Sequence, residues 1–587
     1  MNRTERLLAR GYFPSQLPPC FSTGDLANGH ATFLAAWIAL QDKPNPPKAP
    51  LSKPEMFSVA RVGHQRRATS LPNPVAQTYL ATHVAEHWGA FVKHYRKSRL
   101  SASHPRFLAD GSRGASIPSM QHLYDKKIAL SAGYRYMLRT DLSRFFPTIY
   151  THSVPWAFHT KAVAKKKKDP TPKYFGNLLD LALRQGQDGQ TIGLPIGPDT
   201  SHLIAEAIAT TLDTELRKRL KGWPAGFRYV DDYFMFFSTL QQAEEALAAL
   251  VRVLKDFELQ INFEKTAISP VIEITDDYWT HQLTSFEIRS GRRQQPSDIN
   301  HFFELAKDLA KKNSDESVMI YALKRVSSTV VRKEAWTSFE SHLCHIALAY
   351  PNTLQTLARI LSTYARIGYP LSKSRLGRLV NSVVEDHAGL GHHSEVVWAL
   401  WMCWDLDLSL SDANVDRVSE MHSSVCALLL LKLHDMGKLG KAPKNTYWNA
   451  FETSESLHGD LWLLSYEAGV RGWAAFGDAH IDGEPRFRVL RDANVRFFKD
   501  NASLPPIFHV KATALKSYQI DSEAQFFDLD DIEDFDDLIE FDAEDGGYEG
   551  VVLPDDEDDD TNVAGSGGEG WGVDETDEPG FDPFADE

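Results

Sequence analysis

The sequence predicts an α+β domain from about residue 51 to 290, an all-α region to about residue 520 and a disordered acidic tail. Helical and strand patterns alternate in the first segment, which is typical of an α+β fold. Apolar residues recur at helical spacing in the second, as in "SEVVWALWMCWDLDL" and "HGDLWLLSYEAGVRGWAAF". The third, residues 521–587, contains 28 acidic residues and no Lys or Arg, a composition that favours disorder. Residues 1–50 are rich in proline, in "FPSQLPPCF" and "DKPNPPKAP", and predict an extended N-terminal arm.

The net charge of −16 conceals two parts of opposite sign. Of the 79 acidic residues 28 lie in the tail, so the rest of the chain carries 63 basic residues against 51 acidic ones. A basic body favours binding to the phosphate backbone of nucleic acid, because cations released from the nucleic acid drive association. Mild basicity is common among soluble proteins, so the charge alone does not decide the function.

The sequence predicts neither a membrane protein nor a secreted one. Its longest apolar stretches, such as "VCALLLL", are far shorter than a membrane span. The N-terminus has no long apolar core of the kind found in secretory signals. The four cysteines are widely separated, a pattern that fits neither a zinc site nor a disulfide framework. We therefore expect a cytoplasmic protein with no membrane partner.

Three acidic residues lie inside apolar, strand-like runs. Asp231 and Asp232 interrupt "GFRYVDDYFMFF", and Asp141 lies in "YMLRTDLSRFFPTIY". Buried carboxylates are costly unless something compensates their charge. One arrangement explains all three: a strand bearing Asp141 lies beside a hairpin whose turn holds the pair, and the carboxylates converge on divalent cations. The alternative is a hairpin turn with solvated aspartates.

Four motifs occur in order around these residues: "RTDLSRFF", "GQTIGLPIGPDTS", "FRYVDDYFMF" and "LQINFEKTAIS". They resemble motifs A, B, C and D of reverse transcriptases, and the resemblance covers roughly residues 60–290. It implies a right-hand polymerase fold with fingers, palm and a thumb-like region, followed here by the all-α region and the acidic tail. It also implies dNTP substrates and two Mg²⁺ ions, for which Mn²⁺ can substitute.

The resemblance assigns catalytic roles to four residues. Asp141, Asp231 and Asp232 would be the metal-binding carboxylates, with the most auxiliary role for Asp232. Lys265, in "NFEKT", matches the motif D lysine that protonates the departing pyrophosphate. A surface lysine is the alternative for Lys265.

The resemblance also implies residues that contact the nucleotide. Phe146 matches the bulky residue that closes against a sugar 2′-hydroxyl, and a core aromatic is the alternative. Leu142, directly after Asp141, is likewise expected to contact the nucleotide. In the "LPIG" turn, Pro195, Ile196 and Gly197 would face the template and nucleotide. Most viral relatives have Gln where this chain has Ile196.

In the fingers, "RRATSLPNPVAQ" resembles the segment whose arginine contacts the incoming triphosphate. Arg67 is the better candidate and Arg66 the second, since guanidinium donors suit phosphate oxygens. A solvated arginine is the alternative.

Three further stretches, "RGYFPSQLPPCF", "IYTHSVPWAFHTKAVAK" and "GPDTSHLIAEAIATTLD", are similar to bacterial reverse transcriptases of the abortive-infection and defence-associated classes. This resemblance implies a role in anti-phage defence, an RNA template or noncoding RNA with nascent DNA, and a companion reverse transcriptase or a homo-oligomer. Other members extend DNA without a template, sometimes from a protein hydroxyl.

Three alternatives remain: template-independent synthesis, a catalytically inactive palm that serves as a nucleic-acid scaffold, and a nucleotide cyclase. The intact carboxylates disfavour the scaffold. The absence of a "GG[DE]EF" pattern, together with the "LPIG" turn, disfavours the cyclase.

The acidic tail contains regularly interspersed aromatic residues, namely Phe526, Phe527, Phe535, Phe541 and Trp571. We hypothesise that the tail folds back onto a basic groove and imitates nucleic acid, with carboxylates in place of phosphates and rings in place of bases. A solubilising tail and docking onto a partner protein are the alternatives.

Overall fold

The computed structural model describes residues 1–42, 47–61, 65–108, 111–118, 123–274, 278–313, 317–510 and 539–541. It begins with two helices, α1 (Arg3–Ala9) and α2 (Gly24–Ala39). The expectation of an extended N-terminal arm is therefore wrong for these residues. Leu26, Phe33 and Trp37 recur at helical spacing and give α2 a buried face. The prolines flank this helix rather than interrupting it, so the proline content did not predict its conformation.

The fingers region begins with an antiparallel hairpin of β1 (Glu55–Ala60) and β2 (Arg66–Leu71), in which Glu55 pairs with Leu71 and Ala60 with Arg66. Three helices follow, α3 (Pro74–Glu86), α4 (Trp88–Tyr95) and α5 (Leu123–Ser131). The first of them starts at a proline behind an asparagine cap, since Asn73 accepts a hydrogen bond from the Val75 backbone N–H.

The palm is a four-stranded antiparallel sheet in the order β4-β5-β3-β6. Alternation along β5 divides its side chains between two layers: Tyr233 and Met235 belong to the main core, while Phe234 packs with Phe227 on the other face. The predicted α+β right-hand fold is confirmed. In chain order the palm elements are β3 (Tyr136–Asp141), α6 (Phe145–Thr148), α7 (Ser153–His159), α8 (Lys161–Lys166), α9 (Phe175–Gln185), α10 (Asp199–Leu220), β4 (Ala225–Tyr229), β5 (Asp232–Phe237), α11 (Leu240–Asp256) and β6 (Ala267–Pro270).

Two long helices, α10 and α11, cover one face of this sheet. Helix α10 starts at Asp199 after Pro198. Helix α11 starts at a capping box formed by Thr239 and Gln242 and buries an apolar stripe against the strands.

The described residues from 291 to 492 are mainly helical, as predicted, whereas Phe508–Val510 form a strand inside the region predicted to be all-α to about residue 520. Four tryptophans, Trp336, Trp401, Trp448 and Trp462, are at most 1% exposed, so these rings belong to the core. No helix in the described part of the chain is long and apolar enough to cross a bilayer. The helices are α12 (Tyr278–Ser285), α13 (Gln295–Lys312), α14 (Ser317–Ser327), α15 (Lys333–Ala349), α16 (Leu354–Arg366), α17 (Lys373–His387), α18 (His393–Asp405), α19 (Asp412–Ser419), α20 (Ser424–Asp435), α21 (Trp462–Arg471), α22 (Ala479–Asp482) and α23 (Pro485–Asp492).

Contacts join the N-terminal, palm and helical regions into one compact unit. The boundaries proposed at about residues 50 and 290 stay predictions. The four cysteines are buried free thiols.

Of the acidic tail, three residues are described. They form β8 (Ile539–Phe541), which pairs antiparallel with β7 (Phe508–Val510). The remainder of residues 521–587, and with it the hypothesis that the tail imitates nucleic acid, lies outside the described residues.

A buried ion cluster joins the palm hairpin to α10. The Arg228 side chain is fully buried and lies 2.9 Å from Asp213 and 2.8 Å from Glu206. Tyr233 and Ser98 donate further hydrogen bonds to Asp213, at 2.8 and 2.6 Å. Because the carboxylates are satisfied on several sides, the cluster tolerates its burial.

Arg228→Met is expected to destabilise the fold by about 3–5 kcal/mol, because it leaves two buried carboxylates without their cation. Denaturant unfolding of the purified variant measures this loss. The matched control is Arg219→Met, since Arg219 and its partner Asp256 have exposed side chains and such a pair contributes about 1 kcal/mol or less. Equal stability of both variants would contradict the assignment.

Candidate active site

The register of the palm strands brings the three predicted carboxylates together. Asp141 at the end of β3 is paired with Asp232 at the start of β5. Asp231 occupies the hairpin turn, and its carbonyl accepts a 3.2 Å hydrogen bond from the backbone N–H of Leu142. The side chain of Leu142 is itself buried in the core, only 1% exposed. Asp141, Asp231 and Asp232 thus converge at one end of the sheet.

The turn that carries Asp231 has an unusual backbone. Val230 has φ of +55°, a conformation that is strained for a β-branched residue. Two side chains hold it: the Arg228 guanidinium donates to the Val230 carbonyl at 2.7 Å, and Ser103 accepts from the Val230 N–H at 2.8 Å. The buried ion cluster therefore also shapes the turn.

The carboxylates repel one another. Burial, followed by the charges of Asp141 and Asp232, raises the pKa of Asp231 to about 7. Burial and the charge of Asp141 likewise raise the pKa of Asp232. Like charges held at a partly buried site favour a cation between them, and carboxylate oxygens are the ligands that Mg²⁺ prefers. The donor set therefore fits the expected metal ions.

Lys265 is the cation that the structure places beside this group. Its Nζ lies 2.8 Å from Asp141 Oδ2, while its side chain is 60% exposed. The hydrogen bond to Asp141 raises the pKa of Lys265, so the ammonium form persists at neutral pH. The single ammonium of this exposed side chain does not balance three carboxylates.

Asn262 is a site residue that sequence reasoning missed. Its backbone N–H donates to the Asp141 carbonyl at 2.7 Å, and its side-chain amide donates to Asp141 Oδ2 at 3.3 Å. The motif "INFEKT" could have indicated this residue, because Asn262 precedes Lys265 by three positions. Asn262 orients the carboxylate of Asp141 on the side that faces Lys265.

Phe146 is half-buried. Its ring meets the Phe145 ring at 5.8 Å and the His202 ring at 4.9 Å, both edge to face. The Leu194 N–H donates to the Phe146 carbonyl at 2.9 Å, which ties this short helix to the "LPIG" turn. Phe145 is a core residue, 2% exposed.

A cavity of about 410 Å³ adjoins Phe146 and contains several of the predicted nucleotide contacts. Arg67, Ile196, Gly197 and His202 are among its lining residues. Burial, with smaller effects of Arg113 and Arg67, lowers the pKa of His202 to about 4. The imidazole is therefore neutral at pH 7, and nothing in the motif comparison had singled it out.

The "LPIG" turn is tightly packed. Pro195 is buried, and Gly197 has φ of +125°, where a Cβ would lie 3.0 Å from Pro14. The Ile196 carbonyl accepts from the Ser70 N–H on β2 at 2.7 Å. Glycine is required here by both conformation and space.

An ion pair that sequence reasoning did not identify, between Arg113 and Asp199, fixes the start of α10. Arg113 Nη2 lies 2.6 Å from Asp199 and donates to the Gly197 carbonyl at 2.9 Å. Asp199 also accepts from the Ala115 N–H at 3.0 Å. Since Arg113 lies outside the four motifs, its role depends on the folded chain.

The two candidate arginines of the fingers face different surroundings. Arg67 lines the cavity described above. Arg66 is directed to the helical region, where it pairs with Glu395. The structure thus places Arg67 in one cavity with Ile196 and Gly197, and Arg66 in another with Glu395.

Among the described residues, the group whose potential metal-ligand atoms all lie within 4.8 Å of one another is His387, His392 and Glu395. Glu395 Oε1 lies 3.8 Å from His387 Nδ1 and 3.7 Å from His392 Nδ1. The two imidazole nitrogens are 2.9 Å apart and the ring centres 5.1 Å apart, so the nitrogens face each other as a hydrogen-bonded pair does. The charge of Glu395 is already compensated by Arg66, and the cluster needs no metal to explain it.

Comparison with known proteins places the carboxylates in a recognised domain. Residues 77–287 match the family model described as reverse transcriptase (RNA-dependent DNA polymerase). Protein P of Duck hepatitis B virus (strain China) is 30% identical over 91 residues, which cover 15% of this chain and 11% of that protein. Protein P of strain Germany/DHBV-3 is 30% identical over 80 residues, covering 14% and 10%. The chain thus spans about a tenth of the length of these curated relatives.

Two solved telomerase structures also align with the chain. The telomerase of Candida albicans, in complex with a TWJ fragment of telomeric RNA, is 9% identical with a TM-score of 0.27 and covers 63% of this chain and 68% of its own. Apo telomerase from Candida tropicalis is 10% identical with a TM-score of 0.28, covering 67% and 71%. The family match and the observed palm sheet, rather than these low scores, show that the chain contains a reverse transcriptase domain.

Proposed function

We propose that the protein is an RNA-directed DNA polymerase that adds deoxynucleotides to a 3′-hydroxyl by two-metal phosphoryl transfer. The observation that carries this proposal is the convergence of Asp141, Asp231 and Asp232 at the end of paired palm strands. The match of residues 77–287 to reverse transcriptases supports the same chemistry.

Each residue of the carboxylate group has a role in this proposal. Asp141 and Asp231 would hold two Mg²⁺ ions, with Asp232 assisting. When bound, these ions would activate the attacking hydroxyl and stabilise charge on the leaving pyrophosphate. Lys265 carries a proton at Nζ that is available to the pyrophosphate, and Asn262 keeps Asp141 oriented.

The adjoining cavity would accept the nucleotide. Arg67 binds the triphosphate through its guanidinium donors. Phe146 closes against the sugar and excludes a 2′-hydroxyl. Ile196 and Gly197 present a close backbone surface to the base pair.

The resemblance to defence-associated reverse transcriptases extends the proposal to anti-phage defence. The second candidate function is template-independent synthesis on the same fold, favoured by Ile196 at a position where viral relatives have an amide. Sequencing nucleic acid that co-purifies with the protein, before and after nuclease treatment, distinguishes the two. A defined RNA-complementary product supports templated synthesis, whereas DNA without a matching template supports the second candidate.

Asp141→Asn is expected to reduce incorporation of labelled dNTPs by on the order of a hundredfold or more, because charge stabilisation in the transition state is lost. The assay uses a primer, candidate templates and Mg²⁺. Asp256→Asn is the matched control, since Asp256 is exposed and pairs with Arg219 on the surface. Incorporation by folded Asp141→Asn at the control level would overturn the assignment.

Asp231→Asn is expected to raise the melting temperature of the metal-free protein by a few degrees at pH 8. With its pKa raised to about 7 against an ordinary value near 4 in the unfolded chain, Asp231 binds its proton more tightly when folded. Its destabilising effect therefore grows as the pH rises from about 4 to about 7 and stays constant above. The gain from the substitution should be smaller at pH 5 than at pH 8.

Thermal unfolding in EDTA and in Mg²⁺ completes this test. Mg²⁺ should stabilise the wild-type protein more than Asp231→Asn, because the ion relieves the repulsion that the substitution has already removed. Equal Mg²⁺ stabilisation of both proteins would argue against a metal at this carboxylate.

Phe146→Ala is expected to increase the use of ribonucleotides relative to deoxynucleotides by on the order of tenfold or more, since the ring no longer fills the space of a 2′-hydroxyl. Paired incorporation assays with dNTPs and rNTPs measure the ratio. Phe146→Tyr keeps the ring and should keep the discrimination. An unchanged ratio in Phe146→Ala would show that the ring does not touch the sugar.

A further inference from the structure

The fingers hairpin lies between the nucleotide cavity and the helical region. Side chains on β2 alternate between its two faces. Arg67 and Thr69 line the cavity beside the "LPIG" turn. Arg66, on the opposite face, lines a second cavity together with Glu395. Neighbouring residues of one strand therefore connect the proposed nucleotide site to α18.

The Arg66–Glu395 contact is two-pronged and buried. Arg66 Nη1 contacts Glu395 Oε1, and Nη2 donates to Oε2 at 2.9 Å. The side chain of Glu395 is 1% exposed and that of Arg66 23%. Ser394 donates to Glu395 at 2.7 Å, and Ser58 accepts from Arg66 Nε at 2.8 Å. A planar guanidinium held on both edges has little freedom to rotate.

The first turn of α18 also binds the backbone of β1. The Ser58 N–H donates to His393 Nδ1 at 3.2 Å, and the Ala60 N–H donates to Ser394 Oγ at 3.0 Å. These contacts occupy the outer edge of the hairpin near the end where Ala60 pairs with Arg66.

The opposite end of the hairpin is held separately. The Ser424 N–H donates to Glu55 Oε1 at 2.7 Å, and Trp462 Nε1 donates to the Leu71 carbonyl at 3.0 Å. Glu55 pairs with Leu71, so these bonds hold the end of the hairpin that is distant from Arg67. The α18 contacts are therefore the ones that orient the hairpin where Arg67 lies.

We propose that Glu395 is a positioning residue for nucleotide binding: by holding Arg66 it fixes the direction in which Arg67 presents its guanidinium to the triphosphate. This inference rests on the proposed function of Arg67. The helical region is accordingly a structural part of the nucleotide site rather than an appendage behind the palm.

Loss of the Glu395 carboxylate should weaken nucleotide binding, because it adds an entropic cost to the binding step. Without the Glu395 carboxylate, the hairpin retains its ladder but explores more orientations. Binding a triphosphate must then order Arg67, which costs conformational entropy. In the wild-type protein the Arg66–Glu395 contact has already ordered the hairpin before the nucleotide binds. The Michaelis constant for the nucleotide should rise while turnover at saturation changes little.

The test compares Glu395→Gln with wild-type protein in steady-state incorporation of dTTP on poly(rA)/oligo(dT), and on oligo(dT) alone for untemplated synthesis. Glu395→Gln should raise KM by about tenfold with kcat within about twofold. Since Glu395 acts through Arg67, the double variant Arg67→Gln/Glu395→Gln should show a KM close to that of Arg67→Gln alone.

Glu340→Gln is the matched control. Glu340 pairs with Arg375 in the helical region, with side chains 1% and 28% exposed, much as in the Arg66 pair. It should lose similar thermal stability and keep the wild-type KM. If Glu395→Gln does not fold, Arg66→Lys replaces it, because the charge remains and the two-pronged contact is lost.

A wild-type KM in folded Glu395→Gln or Arg66→Lys, or penalties that add fully to those of Arg67→Gln, would overturn the inference. Absence of incorporation by wild-type protein on every substrate would instead contradict the proposed function. Amide hydrogen exchange separates the two cases, since β2 should exchange faster in Glu395→Gln than in Glu340→Gln whether or not the enzyme is active.

Discussion

The pairing of Asp141 with Asp232 across two central strands is the constraint on which the site depends. It holds carboxylates together at a partly buried sheet end, where both burial and mutual repulsion oppose their ionisation. A protein that evolved for stability alone would place apolar or paired side chains there. The surrounding structure instead supplies orientation, through Asn262, and leaves the charge for a cation to neutralise.

Helix α10 connects this constraint to the rest of the palm. Beneath the hairpin it provides Glu206 and Asp213, which bind the buried Arg228. At its other end it provides Asp199 and His202, which border the cavity lined by Arg67. Because Arg228 also holds the strained Val230 carbonyl, one helix supports both the turn that carries Asp231 and the surface that would receive the nucleotide.

The helical region supports the fingers hairpin in a different way. Helix α18 covers the edge of β1 and binds Arg66. Helices α20 and α21 bind the opposite end of the hairpin. Open hairpins are among the more mobile parts of a fold. Here the fingers hairpin is bound along its outer side, so its motion is coupled to that of the helical region.

The sequence alone determined the parts that depend on short-range pattern. The apolar runs around Asp141 and Asp231 predicted the strands and the hairpin, because periodicity and turn residues act over a few positions. The tertiary structure decided the rest. The motif placed Arg67 ahead of Arg66 as a candidate, but it did not show that Arg66 pairs with Glu395 at a separation of 329 residues. No local pattern encodes a partner that far away, and only the packing of α18 on the hairpin determines what surrounds each arginine.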